Sequence, residues 1–325
     1  MRKFRRILVA SALATLTLAS CGLQSGGALP LAVGPGSITP VPDLENVKIT
    51  VGSKDYTEQV ILGYLIEFAL SAAGADVRDL TNIAGSNSTR DAQESGQIDI
   101  TYEYTGTGWI NYLGHETPVP GATAQFEAVR DEDLERNGMV WVDPAPMDNT
   151  YALAMSRQTA DETGITTLSQ YTDLIEADPK AASTCMESEF LVRQDGFAGM
   201  AARYGFDLAR VHPNILQTGI IYEAIARGTS CRFGEVFTTD GRIIALDLLI
   251  LEDDLHFFPN YNPAIVMRKD FADAHPQVAE VMAPVSAALT TAEITELNRR
   301  VDVEGEEPAN VARDWLVDKG FITLP

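Results

Sequence analysis

The chain has 325 residues, 45% of them hydrophobic, which suits one large or two medium folded domains and excludes a chain disordered throughout. Its 24 basic residues stand against 46 acidic ones, a formal net charge of -22. That balance argues against nucleic acid as a partner, because its phosphates would be repelled, while it tolerates a cationic ligand.

The basic run Met1-Arg2-Lys3-Phe4-Arg5-Arg6 is followed by an apolar stretch from Ile7 to Leu18, too short for a comfortable membrane span and of the length expected for an export signal. Leu18-Ala19-Ser20-Cys21-Gly22 then has the form of a bacterial lipobox: small residues admit a signal peptidase, and the Cys21 thiol takes the lipid. Residues 1–20 are therefore expected as a lipoprotein signal peptide, with Cys21 opening the mature chain on the outer face of the bacterial cell membrane. Residues 21–45, rich in Gly, Pro and Ser and without apolar periodicity, are expected as a flexible tether.

Strands and helices then alternate. Val47–Val51 is expected as a strand, and Thr57 with Glu58 opens a helix with apolar residues at Ile61, Leu65, Phe68 and Ala72 and a stop at Gly74. A strand over Val77–Ile83 leads to a helix capped by Ser88 or Thr89 and running to about Ser95, followed by a strand over Ile98–Tyr102. This βαβαβ order predicts an α/β protein with mostly parallel sheets covered by helices, whose ligands sit beyond the carboxyl ends of the strands. Two loops are thereby nominated, Gly52–Tyr56 and Glu103–Gly108. After a break at Asp143-Pro144-Ala145-Pro146-Met147 the pattern resumes, with strands at Tyr151–Met155, Ala182–Met186, near Val211 and at Arg232–Phe237, and helices at Phe197–Tyr204 and Ile221–Arg227, a second α/β lobe; Leu248–Leu251, the acidic Glu252-Asp253-Asp254 and Phe257–Tyr261 then suggest a crossing back to the first lobe. Helices finish the chain, one over Asn310–Asp318 with Pro308 upstream.

With Cys21 lipidated, Cys185 and Cys231 remain in an oxidising compartment, where a disulfide is expected; two separately buried thiols are the alternative. No Cys/His spacing suggests zinc. Glu252, Asp253, Asp254 and His256 read as a solvated acidic face, so neither metal nor cofactor is expected.

The ordered strings "VGSKDYTEQVILGYLI", "GQIDITYEYTGTG", "NTYALAMS", "EFLVRQDG", "VFTTDGRI", "LEDDLHFFPNYNPAIVMRKD" and "VDVEGEEP" resemble the substrate-binding lipoproteins of ABC importers for glycine betaine and related quaternary-ammonium osmoprotectants. The resemblance implies a two-lobed periplasmic-binding-protein fold of type II-like form: two sheets with flanking helices, and a hinge of two crossovers. The expected division is 46–148 and 261–325 for the first lobe and 149–260 for the second. It implies a monomer that hands its solute to an ABC permease and its ATPase.

A trimethylammonium group carries charge but no N–H, so its receptor is a set of aromatic faces. A carboxylate at the other end calls for basic and hydroxyl donors. Carried over by motif, the resemblance implies an aromatic cage of Tyr104, Tyr151, Phe237 and Tyr261, and a carboxylate clamp of Lys54, Thr107 and Arg193. Relatives commonly have tyrosine where Phe237 precedes "TTDG", so affinity or preferred ligand is expected to differ. Strand alternation is expected to leave Tyr102 outside the cage. Two alternatives use the same cleft. One is a sensor or binder of another small organic molecule; the other is an exported hydrolase, weakened by the absence of a GxSxG or HExxH motif in the sequence.

Overall fold

The computed structural model describes residue 27, residues 29–228 and residues 230–325. The signal segment 1–20 and Cys21 lie outside the described residues. Of the expected tether, the part from Gly34 belongs to the body: Gly34–Pro35 pairs antiparallel with Ile322–Thr323, and Ile38 and Leu44 are buried in the core. Scattered apolar residues without a period suffice to dock a segment whose backbone also finds an edge to pair with.

Among the described residues two five-stranded sheets form the framework. The first contains β1 (Lys48–Lys54), β2 (Asp76–Ile83), β3 (Ile100–Tyr104), β4 (Met139–Val142) and β10 (Pro263–Arg268), in the order β2-β1-β3-β10-β4. The second contains β5 (Tyr151–Ser156), β6 (Thr184–Met186), β7 (Asn214–Ile215), β8 (Phe233–Phe237) and β9 (Leu248–Ile250), in the order β9-β5-β8-β6-β7. β1 runs parallel to β2 and β3, and β6 runs parallel to β7 and β8. β10 is antiparallel to β3 and β4, and β5 to β8 and β9. The sheets are thus mixed rather than mostly parallel. The cause is the crossing of the chain: β5 and β10 each enter a sheet from the other one and run against their neighbours.

The crossings, 143–150 and 251–262, lie side by side. Asn149 N donates to Tyr261 O at 3.2 Å, and Asp148 accepts from Tyr261 N and from Asn260 Nδ2, both at 2.7 Å. This paired strip is the narrow connection between the two sheets.

Helix α1 (Thr57–Ala72) is apolar almost all round, and Ile61, Leu62, Leu65, Ile66, Phe68 and Leu70 are all fully buried. A single stripe would serve a surface helix; one lying between the first sheet and the C-terminal helices must be apolar on both sides. Gly74 follows at φ 102, in the region where a side chain would be strained. Helix α2 (Ser86–Glu94) begins earlier than its hydroxyls suggest, because Gly85 at φ 77 makes the entry turn and Thr89 bonds back to Gly85 O at 3.0 Å. The strand expected near Val211 is the two-residue β7. Helix α3 (Ala122–Asn137) has no clear apolar stripe, since Gln125 and Asp133 are buried beside Val129; Asp133 accepts from Arg90, Trp141 and Asn137. In the second sheet, Cys185 of β6 is bonded to Cys231 just before β8, with S–S 2.01 Å and Cα–Cα 5.6 Å.

Candidate functional site

The carboxyl ends of β1 and β3 and the mouth of the second sheet face one another across a cleft of about 640 Å³. Its lining includes Tyr104, Tyr151, Phe237 and Tyr261 together with Lys54 and Thr107. Arg193 lies directly behind that wall, 4% exposed, with its guanidinium 5.6 Å from the Tyr151 ring centroid and Nη2 3.4 Å from Thr107 Oγ1. All seven side chains singled out from the sequence therefore gather at one place, drawn from both sheets.

The register explains the grouping. Tyr151 opens β5 directly opposite Phe237, the last residue of β8, so their rings pack as a cross-strand pair with centroids 5.2 Å apart. Tyr104 ends β3 opposite Pro263 of β10, which brings Tyr261 to the same edge. The Tyr261 ring meets Tyr151 edge-on at 5.4 Å. A Cβ on Gly106 would come within 2.7 Å of the Tyr261 ring, so the glycine after Tyr104 is what allows Tyr261 to sit there.

The hydroxyls of Tyr104 and Tyr261 are bonded to buried carboxylates. Tyr104 donates to Glu58 Oε1 at 2.6 Å, and Tyr261 donates to Asp195 Oδ2 at 2.7 Å. Glu58 also accepts from Asn149 and Asn298, each at 2.8 Å, and from Thr239 at 2.5 Å. Burial raises its carboxyl above the ordinary range, and these four bonds oppose the rise. Tyr104 ends β3 of the first sheet and Thr239 follows β8 of the second, so Glu58 ties the two sheets together beneath the rings.

Two further rings line the cleft that motif reading did not include. Tyr56 stacks on Phe237 at 5.1 Å with the planes 19° apart, and Phe190 lies 4.9 Å from Tyr151. Tyr56 sits in the loop after β1 that the strand-end rule nominates, which was signal enough to include it. Tyr102 does stay out of the cage, but alternation is not the reason, since residues two apart share a strand face. It lies deeper in the sheet, with its hydroxyl 2.7 Å from Ser286 Oγ.

The basic end is occupied by internal ion pairs. Lys54 Nζ is 2.7 Å from Glu103 Oε1 and 5.1 Å from the Tyr104 ring centroid. Arg193 Nε donates to Asp195 at 2.6 Å and Nη1 to Glu189 Oε1 at 2.7 Å, and Nη2 closes a second bond to Asp195. Glu189 reaches across the cleft, where Oε2 accepts from Ser86 N at 3.1 Å. Burial opposes ionisation of Glu189, but Arg193, Lys54 and the Ser86 N–H outweigh it and hold the carboxyl down at about 2. Glu235, also lining the cleft, behaves oppositely: burial pushes it up to about 8, although Glu187 N donates to it at 2.8 Å. The acids of the 252–256 segment are spent elsewhere. Asp253 accepts from Tyr204 and Phe258 N, and Asp254 from Ser169 N.

The family described as the substrate binding domain of ABC-type glycine betaine transport systems matches residues 47–318. A glycine-betaine-binding protein of Pseudomonas aeruginosa is 37% identical over 82% of this chain and 86% of its own. The glycine betaine-binding protein YehZ of Escherichia coli is 31% identical over 84% of this chain and 91% of its own. A crystal structure titled as a glycine betaine/carnitine/choline ABC transporter superposes with a TM-score of 0.66 at 25% identity, covering 85% of this chain and 99% of that one.

Proposed function

The chain belongs to the family of substrate-binding domains of ABC-type glycine betaine transport systems, and from that premise we propose that it captures a quaternary-ammonium osmoprotectant of the class that includes glycine betaine, choline, carnitine and proline betaine. It is an extracytoplasmic binding protein of an ABC transporter, not an enzyme, and has the two-lobed periplasmic-binding-protein fold. In this reading Tyr104, Tyr151, Phe237 and Tyr261, joined by Tyr56, wrap the methylated head, while Lys54, Thr107 and Arg193 face the polar tail. The first lobe takes residues 46–148 and 261–325 and the second takes 149–260.

The observation that carries the reading is the convergence of these rings from both lobes at one cleft beside a buried arginine. A methylammonium face gives up little hydration and gains attraction from each ring, about 0.5–2 kcal/mol per contact as water is excluded. Rings whose hydroxyls are already bonded elsewhere offer their faces at no further cost. Contacts from both lobes let the solute hold the cleft shut, the state handed to the permease and its ATPase. Lipid on Cys21 keeps the monomeric protein at the membrane surface where that hand-over occurs.

Isothermal titration with glycine betaine, choline, carnitine and proline betaine tests the reading. Saturable binding of at least one, with no product formed, is the expected result; absence of heat with all four overturns it.

A further inference from the structure

The basic end of the cleft already holds a carboxylate in the position that a ligand's acidic tail would need. Glu189, on the short helix Ser188–Val192, takes the free edge of Arg193 at 2.7 Å and the Ser86 N–H of the opposite lobe at 3.1 Å. Lys54 and Arg193 both stabilise its charge. With Glu103 on Lys54 and Asp195 on Arg193, two basic side chains are matched against three carboxylates. A monocation in the cage would balance that set. A zwitterion brings the same cation together with a fourth carboxylate and so leaves the excess negative charge unbalanced, and its tail could reach Arg193 only by expelling Glu189 from both of its bonds.

We propose that Glu189 is a specificity-determining residue that stands in for a ligand carboxylate, so that the cleft prefers quaternary-ammonium solutes with an uncharged, hydrogen-bond-donating tail over those with an acidic one. The inference rests on the quaternary-ammonium reading above and narrows it. A hydroxyl tail such as that of choline can donate to Glu189 without moving it. Glu187, on the same wall, is a further acceptor for such a donor.

The test is titration of choline and glycine betaine into the wild-type protein and Glu189→Gln at one ionic strength. The primary amide of glycine betaine serves as a further ligand for the wild type, close to glycine betaine in size but uncharged at its tail and able to donate. The expected wild-type result is that choline and the amide each bind at least tenfold more tightly than glycine betaine. Glu189→Gln is expected to narrow the choline preference at least tenfold, mostly through tighter glycine betaine binding. Wild-type glycine betaine binding equal to or tighter than that of the amide overturns the proposal, whether or not the variant folds. So does a folded variant that keeps the wild-type ratio within threefold. Failure of every trimethylammonium ligand to bind would instead sink the quaternary-ammonium reading, and this inference with it.

Discussion

The two ends of the cleft solve opposite problems. At the aromatic end, Tyr104 and Tyr261 have tied their hydroxyls to Glu58 and Asp195, so a methylated head can pack against the rings without displacing any carboxylate. At the basic end, Lys54 and Arg193 are already engaged by Glu103, Asp195 and Glu189, so any acidic tail must compete with a resident one. One end is ready to receive a ligand as it stands; the other must exchange partners. Affinity for the head is therefore a matter of shape and ring faces, and selectivity for the tail a matter of charge balance.

The contrast is broken most severely at Arg193. Replacing it with Ala leaves Asp195 and Glu189 without their buried partner, and loss of one member of such a pair costs about 3–5 kcal/mol. Urea denaturation of Arg193→Ala should show that loss, together with the disappearance of ligand binding; a change below about 1 kcal/mol would mean that the ion pairs do not hold this wall.

Titration of Glu235 sharpens the same end. Its carboxyl is pushed up to about 8 by burial. A group whose folded value lies above its ordinary one stabilises the fold at pH below that ordinary value and loses the contribution as pH rises toward and through the folded value. Stability should therefore fall between pH 5.5 and 8, by about 3 kcal/mol at most for this one group. Denaturation midpoints of wild type and Glu235→Gln across that window check it: the variant should show a flatter profile, and parallel profiles would remove Glu235 as the cause.

At the aromatic end, Tyr104→Ala should weaken binding of a quaternary-ammonium ligand by about 1–3 kcal/mol, combining lost ring contact with lost enclosure. Tyr104→Phe separates the face from the hydroxyl. It keeps the ring and removes one of the four donors to Glu58, so calorimetric affinity should change less than threefold while stability drops by about 1 kcal/mol. Equal losses of affinity in the two variants would show that the hydroxyl, not the face, matters. The smallest effect is expected for Phe237→Tyr. A second phenol on a ring already stacked against Tyr56 should alter affinity by less than about 1 kcal/mol, read in the same titration.

Much of the framework was legible along the chain. The helix expected over Phe197–Tyr204 has those bounds, and β2, β5, β6 and β8 fall within two residues of their expected ranges, because short apolar runs between glycines and polar turns carry a local signal. Helix α3 and strands β4 and β10 were not read. α3 hides its buried face behind Gln125 and Asp133, and the Asp133 partners Arg90 and Trp141 are distant or follow the helix.

The sequence by itself determined the alternation of strands and helices, the ligand edge after β1 and β3, and the motif positions that supply the rings and the basic residues; each depends on neighbours a few positions apart. Only the tertiary structure decided the mixed sheets, the Glu58 node and the docking of the local Glu189, Arg193 and Asp195 cluster against Ser86 and Thr107. The last set joins residues 86 and 103 positions apart. The two carboxylates on Arg193 lie four and two positions away along the chain, but whether such a cluster stays solvated or is buried across a cleft depends on the distant segments that folding brings against it, and those leave no period or spacing in the chain.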